Sequence, residues 1–435
     1  MAKRFRFCGI LATLVALNFT HAQETIYLDR TECETIFLEE NLSLVAEKLN
    51  IPKAEAAVKQ AKLWPNPNFT LDEVNFWATY RQTGGAETSP PLWDGFTGRD
   101  QQFAISVEQL VQTAGKRKKL VALEKVTVEM SVQYFEDLLR NLKLEFRNLL
   151  TDLQYNQAIL EAHENLLSSI SELTTAYERQ LDAGNISKSQ YARLRLQEIE
   201  IQKDLYELQV EANQIQKELN VLMHLDPGTN LVLSKKGFER EIDDSRLLLV
   251  DELIKKAREE RPDAKLSLLE QDYSNKMYAY EKSQRAPDVT FSAGYDRNGS
   301  TMLDFVGFGI SLDLPFFNRN QGNIKKAELE VEQSKIKAHQ LNNQIGGEVQ
   351  QALKDLGNAL QLQSAVQNNQ DLSLETLLPA YTKNLKNRNI SLMEYLDFLD
   401  AYLENRATVF GASKEVNHKI EELNFSLGSE LFVFD

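Results

Sequence analysis

Cysteine is almost missing from this chain of 435 residues: there are two, Cys8 and Cys33. Cys8 falls in an apolar leader, so the mature chain keeps one and no disulfide framework can form within it. Cys33 then reads as an incidental small residue, not a working thiol. Proline (ten) and glycine (nineteen) are sparse for the length, which excludes a fold of many short turns and favours long uninterrupted elements. Beyond the leader no stretch reaches 18 consecutive apolar residues, so no transmembrane helix is expected. The formal charge is −15 and the basic residues form no patch of the kind nucleic acid selects, which excludes DNA and RNA as partners. His163, His224, His339 and His418 stand apart from one another and from acidic pairs, so no zinc spacing exists. The glycine pairs are not followed by the Lys-Ser/Thr of a phosphate loop. No catalytic residue, cofactor or metal site is expected, and the chain does not read as an enzyme.

What is present begins with an export leader over residues 1–22. Lys3, Arg4 and Arg6 precede the apolar core Phe7–Leu17, and Thr20-His21-Ala22 offers a small-residue cleavage site before Gln23. Cleavage there removes three positive charges and no acid, taking the formal charge from −15 to −18. No Leu-x-Gly/Ala run precedes Cys8, which argues against lipid attachment at that residue.

The chain is also a tandem duplication. Tyr177, Leu181, Asn185, Ile186, Ser187 and Tyr191 recur as Tyr381, Leu385, Asn389, Ile390, Ser391 and Tyr395, each pair 204 positions apart. Each copy is expected to end in the tip of a long helical hairpin. The first repeat spans 23–228, with strands near 68–77 and 102–111 and a tip near Gly184–Ser187. A linker follows at 229–245. The second repeat spans 246–435, with strands near 288–297 and 304–314 and a tip near Arg388–Ser391. Residues 23–35 read as an irregular lead-in and Ile36–Leu63 as one helix, ended by Pro65 and Pro67.

The strands declare themselves by period-2 alternation. Phe103, Ile105 and Val107 form one apolar face, as do Val289, Phe291 and Tyr295, and Val306, Phe308, Ile310 and Leu312. Phe103-Ala-Ile-Ser106 matches Phe308-Gly-Ile-Ser311, and Pro67-Asn-Phe-Thr70 matches Pro287-Asp-Val-Thr290. Residues 78–101, rich in glycine and proline, form the longer loop of the first strand pair. The helices that follow are long. No proline or glycine interrupts Arg117–Leu181, a reach of roughly 100 Å if straight. Ile201, Leu205, Leu208, Ala212, Ile215, Leu219 and Leu222 follow a 4-3 spacing, the seam of a coiled coil. In the second copy Asn323–Leu378 is weakened by Gly346, Gly347 and Gly357 and kinked by Pro379.

Four strands, each apolar on one face, cannot close a barrel, and an open edge is not tolerated in lipid. At least two chains must therefore share a barrel, and three would give twelve strands with room for a polar lumen. The ten residues named above on β faces would then meet lipid. Phe76, Trp77, Tyr80, Trp93, Tyr295, Phe316 and Phe317 suit the aromatic girdles at the membrane interfaces. The charged run Gly115–Lys119 reads as solvated cations at the edge of that zone. The plain alternative is a small soluble β-domain on a coiled-coil stalk.

At this point the chain resembles the TolC family of trimeric outer-membrane efflux channels. The resemblance covers essentially the whole mature sequence. The stretches Lys62-Leu-Trp-Pro-Asn-Pro-Asn68 and Val107-Glu-Gln-Leu-Val-Gln-Thr-Ala-Gly-Lys-Arg117 look like the branch that serves cobalt-zinc-cadmium and copper-silver efflux pumps. The resemblance implies a mainly α protein with a membrane β-barrel part: a homotrimer with a twelve-stranded barrel in outer-membrane lipid and a long α-helical tunnel in the periplasm. It implies two partners, a periplasmic adaptor and an inner-membrane proton-driven (RND-type) pump. The tips Gly184, Asn185, Ile186, Ser187 and Arg388, Asn389, Ile390, Ser391 would face the adaptor. Asp397 and Asp400 match the family's aspartate gate, and their three-residue spacing puts both on one helix face. Under threefold symmetry they become two stacked carboxylate rings that attract cations. The first copy has Arg193 and Leu196 there, and Gln190 stands where a tip-to-tip latch could have been acidic. The function expected is passive conduction of heavy-metal cations, with a drug-efflux or type I protein-secretion channel as the rival and a periplasmic scaffold as the rival of another class.

Overall fold

The computed structural model describes residues 25–75, 102–240, 249–297, 302, 304–368 and 374–432. The expected leader, the loop 78–101 and the aromatics Phe76, Trp77, Tyr80 and Trp93 lie outside the described residues. The chain opens with β1 (Thr25–Leu28), then α1 (Arg30–Glu40), α2 (Leu42–Lys48) and α3 (Asn50–Ala61). The expected single helix from Ile36 is thus three, and the first of them begins earlier, inside the expected irregular lead-in. Asp29 starts α1 with a capping box: its carboxylate accepts the Glu32 N–H and the Glu32 carboxylate accepts the Asp29 N–H, both at 2.8 Å. Asn41 makes the first break, accepting the Leu44 N–H at 3.0 Å and donating to the Leu222 carbonyl at 2.8 Å. The expected linker holds β4 (Asn230–Leu233), which pairs in parallel with β1. Both strands are four residues long, too short for alternation to reveal.

A second sheet holds β2 (Asn68–Asn75), β3 (Gln102–Val111), β5 (Val289–Arg297) and β6 (Phe305–Leu312), antiparallel in the order β2-β3-β5-β6. The two strand pairs of the duplication therefore meet through their inner strands. Register decides which side chains share a face. Ile105 pairs with Tyr295, Val107 with Phe69, Val111 with Val289, Phe291 with Ile310, Val289 with Leu312 and Tyr295 with Val306. All ten positions expected to share an apolar surface lie on one face, joined by Phe69, Leu71, Val111 and Ala293, with Gln109 and Arg297 its polar members. The other face carries Ser106, Glu108, Thr290, Ser292, Asp296 and Ser311.

From the sheet descend α4 (Lys116–Asp182) and α5 (Lys188–Leu222) in the first repeat. The second repeat supplies α6 (Val250–Glu260), α7 (Pro262–Ser283), α8 (Gln321–Asn368), α9 (Leu374–Lys386) and α10 (Leu392–Leu427). Pro262 takes the first position of α7, where its missing N–H costs nothing. The 4-3 seam of α5 is buried or half-buried along its length. It packs on α4 through Leu150 and Leu153 near β1 and β4, and through Leu166, Ile170 and Leu173 toward the tips. Near the tips this core also takes in Leu385, Tyr395, Leu399 and Tyr402, so the two hairpins share one apolar interior. A third core joins Ile345, Val349 and Leu356 of α8 to Val416, Ile420 and Leu423 of α10.

Candidate functional site

The two hairpin tips are built alike, and the sequence shows why. Gly184 sits at φ +72° after α4, the Asn185 N–H donates to the Gln180 carbonyl at 2.9 Å, and Ser187 caps α5. The Ser187 hydroxyl accepts the Gln190 N–H, and the Gln190 side chain accepts the Ser187 N–H. The Gln190 side-chain oxygen is thereby engaged on its own helix. In the second tip Asn389 N–H donates to the Asn384 carbonyl at 2.9 Å, and Ser391 and Glu394 repeat the box. The turn residue differs: Arg388 takes the left-handed conformation, φ +60°, that glycine holds in the first tip. A side chain there carries strain that glycine avoids. Gly184, Asn185, Ser187, Arg388, Asn389 and Ser391 are exposed, while Ile186 and Ile390 are half-buried.

Asp397 and Asp400 lie on the exposed face of α10, opposite Tyr395, Leu399 and Tyr402. Glu404, exposed one turn further on, continues this acidic stripe at the same 3-4 spacing. The sequence reading did not single it out, although that spacing marks it. Asp400 accepts a hydrogen bond from Gln197 of α5 at 3.2 Å. Arg193 reaches the Met393 sulfur, and Lys386 pairs with Glu172 at 2.7 Å. These contacts tie the hairpins together just behind the tips, a link the sequence reading missed because the partners lie about 200 residues apart.

At the other end, the strand-to-helix junction corrects one expectation. Lys116, expected to be solvated, is buried and pairs with Asp288 at 2.8 Å. The same carboxylate accepts the Thr113 N–H at 2.9 Å, so the start of α4 is locked to the start of β5. The Arg117 guanidinium lies 3.8 Å over the Trp64 ring.

Between these ends a buried charge network crosses the helices. Arg147 of α4 holds Glu34 of α1 at 2.8 Å, Glu421 of α10 at 3.0 Å and Glu430 at 2.7 Å. Burial alone would lower the Arg147 pKa, yet Glu421 and Glu34 outweigh it and raise the value above the ordinary arginine range. For Glu34 burial acts upward, but Arg147 and Lys143 hold the carboxyl below its usual value. Asp152 is likewise held down, against burial, by His418 and Lys414. Arg30, buried and repelled by Arg240, falls to about 9 while donating to Thr151 Oγ1 at 2.8 Å.

A pH dependence follows. The folded pKa of Glu34 and of Asp152 lies below the unfolded one. Each therefore contributes stability that is complete above about pH 4–4.5 and is lost as pH falls through the folded value. The melting temperature is expected to drop steeply below about pH 4, and Glu34→Gln should flatten part of that drop. A melting profile from pH 7 to pH 3 checks this; an unchanged acid slope in E34Q would show that Glu34 does not carry it.

Among the described residues no group of three or more His, Cys, Asp or Glu could hold a metal ion, and no helix is long and apolar enough to cross a membrane.

Comparison with known proteins gives this geometry a setting. The family described as outer membrane efflux protein matches residues 253–429. The cobalt-zinc-cadmium resistance protein CzcC of Cupriavidus metallidurans is 23% identical over 292 residues, covering 66% of this chain and 62% of that protein. The match thus spans less than two thirds of the length of that curated relative. Among solved structures, CusC superposes with a TM-score of 0.68 at 18% identity, covering 93% of this chain and 94% of that one. The Campylobacter jejuni CmeC outer membrane channel gives 0.71 at 14% identity, covering 92% and 85%. At such identities the likeness is one of fold. The matched family and structures are efflux proteins and channels, not enzymes.

Proposed function

We propose, on the premise that this chain belongs to the outer membrane efflux protein family, that it is the outer-membrane channel of a tripartite efflux system. The observation that carries this reading is the sheet. Its four strands present one face of exposed apolar side chains, with Phe308 86% and Ile310 67% accessible, and its two edges, β2 and β6, are unpaired among the described residues. An amphipathic sheet with free edges is stable in lipid only when closed. Pairing β6 of one copy with β2 of the next closes twelve strands in a homotrimer. The ten apolar positions then meet lipid, and Ser106, Glu108, Thr290, Ser292 and Asp296 line a wet lumen.

In this assembly the helices continue the lumen as a periplasmic tunnel and the tips meet a periplasmic adaptor, itself seated on an inner-membrane proton-driven pump. Asp397, Asp400 and Glu404 form stacked acidic rings where the tunnel narrows, favouring cations and opposing anions. The protein contributes no chemistry: it is a conduit, and the pump supplies the energy. Heavy-metal cations are the substrate class we propose. The likeness to a cobalt-zinc-cadmium resistance protein supports this, as do the Lys62–Asn68 and Val107–Arg117 motifs. Purified protein in planar bilayers should give discrete, cation-selective currents. The absence of any current would remove the channel reading.

A further inference from the structure

The chain is acidic overall, yet it gathers cations where the sheet passes into the helices. A shallow depression of about 630 Å³ lies between the start of α4 and the end of α7, lined by Ala114, Lys119, Ala279, Lys282, Ser283 and Arg285. It holds three cations and no carboxylate. Lys282 and Arg285 are exposed and Lys119 is half-buried. Among the described residues none of the three is ion-paired, whereas neighbouring Lys116 is held by Asp288.

Exposed apolar groups mark the same end of the helices. Trp64 and Leu63 are 57% and 60% accessible, and Phe316 and Phe317 are 66% and 96%. Both pairs are tied to the junction. Arg117, in the first turn of α4 on a different side of the helix from Lys119, lies over Trp64. Asn320 donates to the carbonyl and carboxylate of Glu281, beside Lys282, at 3.0 and 2.6 Å.

Depth fits as well. Val111, Val289 and Leu312 are register partners at the last row of the apolar face. Four residues separate Val111 from the start of α4, and Lys119 lies about 5 Å further along that helix, on the headgroup side of this row. Cations at headgroup depth with aromatic rings at the interface are what a phosphate-bearing lipid surface binds.

We propose that this depression is a binding site for the headgroup of an anionic phospholipid, with Lys119, Lys282 and Arg285 on the phosphate and Trp64, Phe316 and Phe317 seated at the same membrane interface. The proposal rests on the membrane reading above and deepens it. The cations hold the junction at a fixed depth.

The test uses the full chain carrying Trp77→Phe and Trp93→Phe, which leaves Trp64 as its one tryptophan. The protein is reconstituted in phosphatidylcholine vesicles, and Trp64 quenching by dibrominated phosphatidylglycerol is compared with quenching by dibrominated phosphatidylcholine. The expected preference for the anionic lipid is about tenfold at low salt. It should vanish in the triple variant K119Q/K282Q/R285Q while quenching by the brominated phosphatidylcholine persists. Should the triple variant fail to insert, K282E at its exposed position should reduce the preference by itself. Equal quenching by the two lipids in the parent, or a preference that survives these variants, overturns the proposal. So does loss of the preference on adding millimolar inorganic phosphate, which would assign the site to the free anion. Absence of quenching by either lipid would overturn the membrane reading itself.

Discussion

Replacing Arg147 with methionine should destabilise the protein by about 3–5 kcal/mol, the cost of removing one member of a buried charge cluster. The reason lies in what is left behind. Glu421 is 3% accessible and Arg147 itself 4%, and at 3.0 Å the guanidinium is the one cation in contact with Glu421 among the described ion pairs. With methionine there, Glu421 must stay charged in a dry site, take up a proton, or drag α10 away from α4. Glu34 and Glu430 keep Lys143, at 3.1 and 3.5 Å, and lose less. R147M combined with E421Q should therefore recover a good part of the loss, whereas R147M with E430Q should recover little. Thermal melting in detergent of the parent, R147M, E421Q, E430Q and the two double variants, six proteins, measures this as two double-mutant cycles. A loss under about 1 kcal/mol for R147M would mean that water reaches Glu421 and the network is not closed.

The second large effect concerns conduction. Asp397→Ala with Asp400→Ala should raise single-channel conductance severalfold and weaken cation preference, because in the proposed trimer two rings of three carboxylates are replaced by small neutral side chains. The Gln197–Asp400 hydrogen bond adds a mechanical contribution, since its loss removes one of the polar ties between α10 and α5 near the tip. Gln197→Ala separates the two: it should ease opening while leaving cation preference intact. Unchanged conductance and unchanged selectivity in the double variant would take both aspartates out of the gate and leave Glu404 as the acidic residue of that face to test next.

How much of this could be read from the chain depends on the range over which each signal acts. Strand alternation is local and strong, so Phe103, Ile105 and Val107, and their counterparts in β5 and β6, announced one apolar surface before any register was known. The 4-3 seam of α5 is local too, and every residue of it is buried or half-buried in the fold. The duplicated Asn-Ile-Ser marks both helix breaks because a serine followed three residues later by Gln190 or Glu394 restarts a helix in either copy. What escaped was non-local. Asn41 breaks the opening helix because a carbonyl at Leu222 rewards its side chain. The strand Thr25–Leu28 exists because Asn230–Leu233 lies beside it. Lys116 is buried because Asp288 of the other repeat comes to meet it, and Arg147 draws acids from three distant segments. In the candidate gate the spacing of Asp397 and Asp400 was legible, while their tie to α5 and the continuation at Glu404 required the helices to be placed.

The central claim is that three chains share one barrel, and its most direct test is the mass of the protein extracted from membranes. Expressed in a Gram-negative host, it should fractionate with the outer membrane. Solubilised in detergent, it should scatter light with a protein mass about three times that of the mature chain. A soluble periplasmic monomer or dimer would contradict the account, because the apolar faces of β3, β5 and β6 would then be covered by something other than lipid.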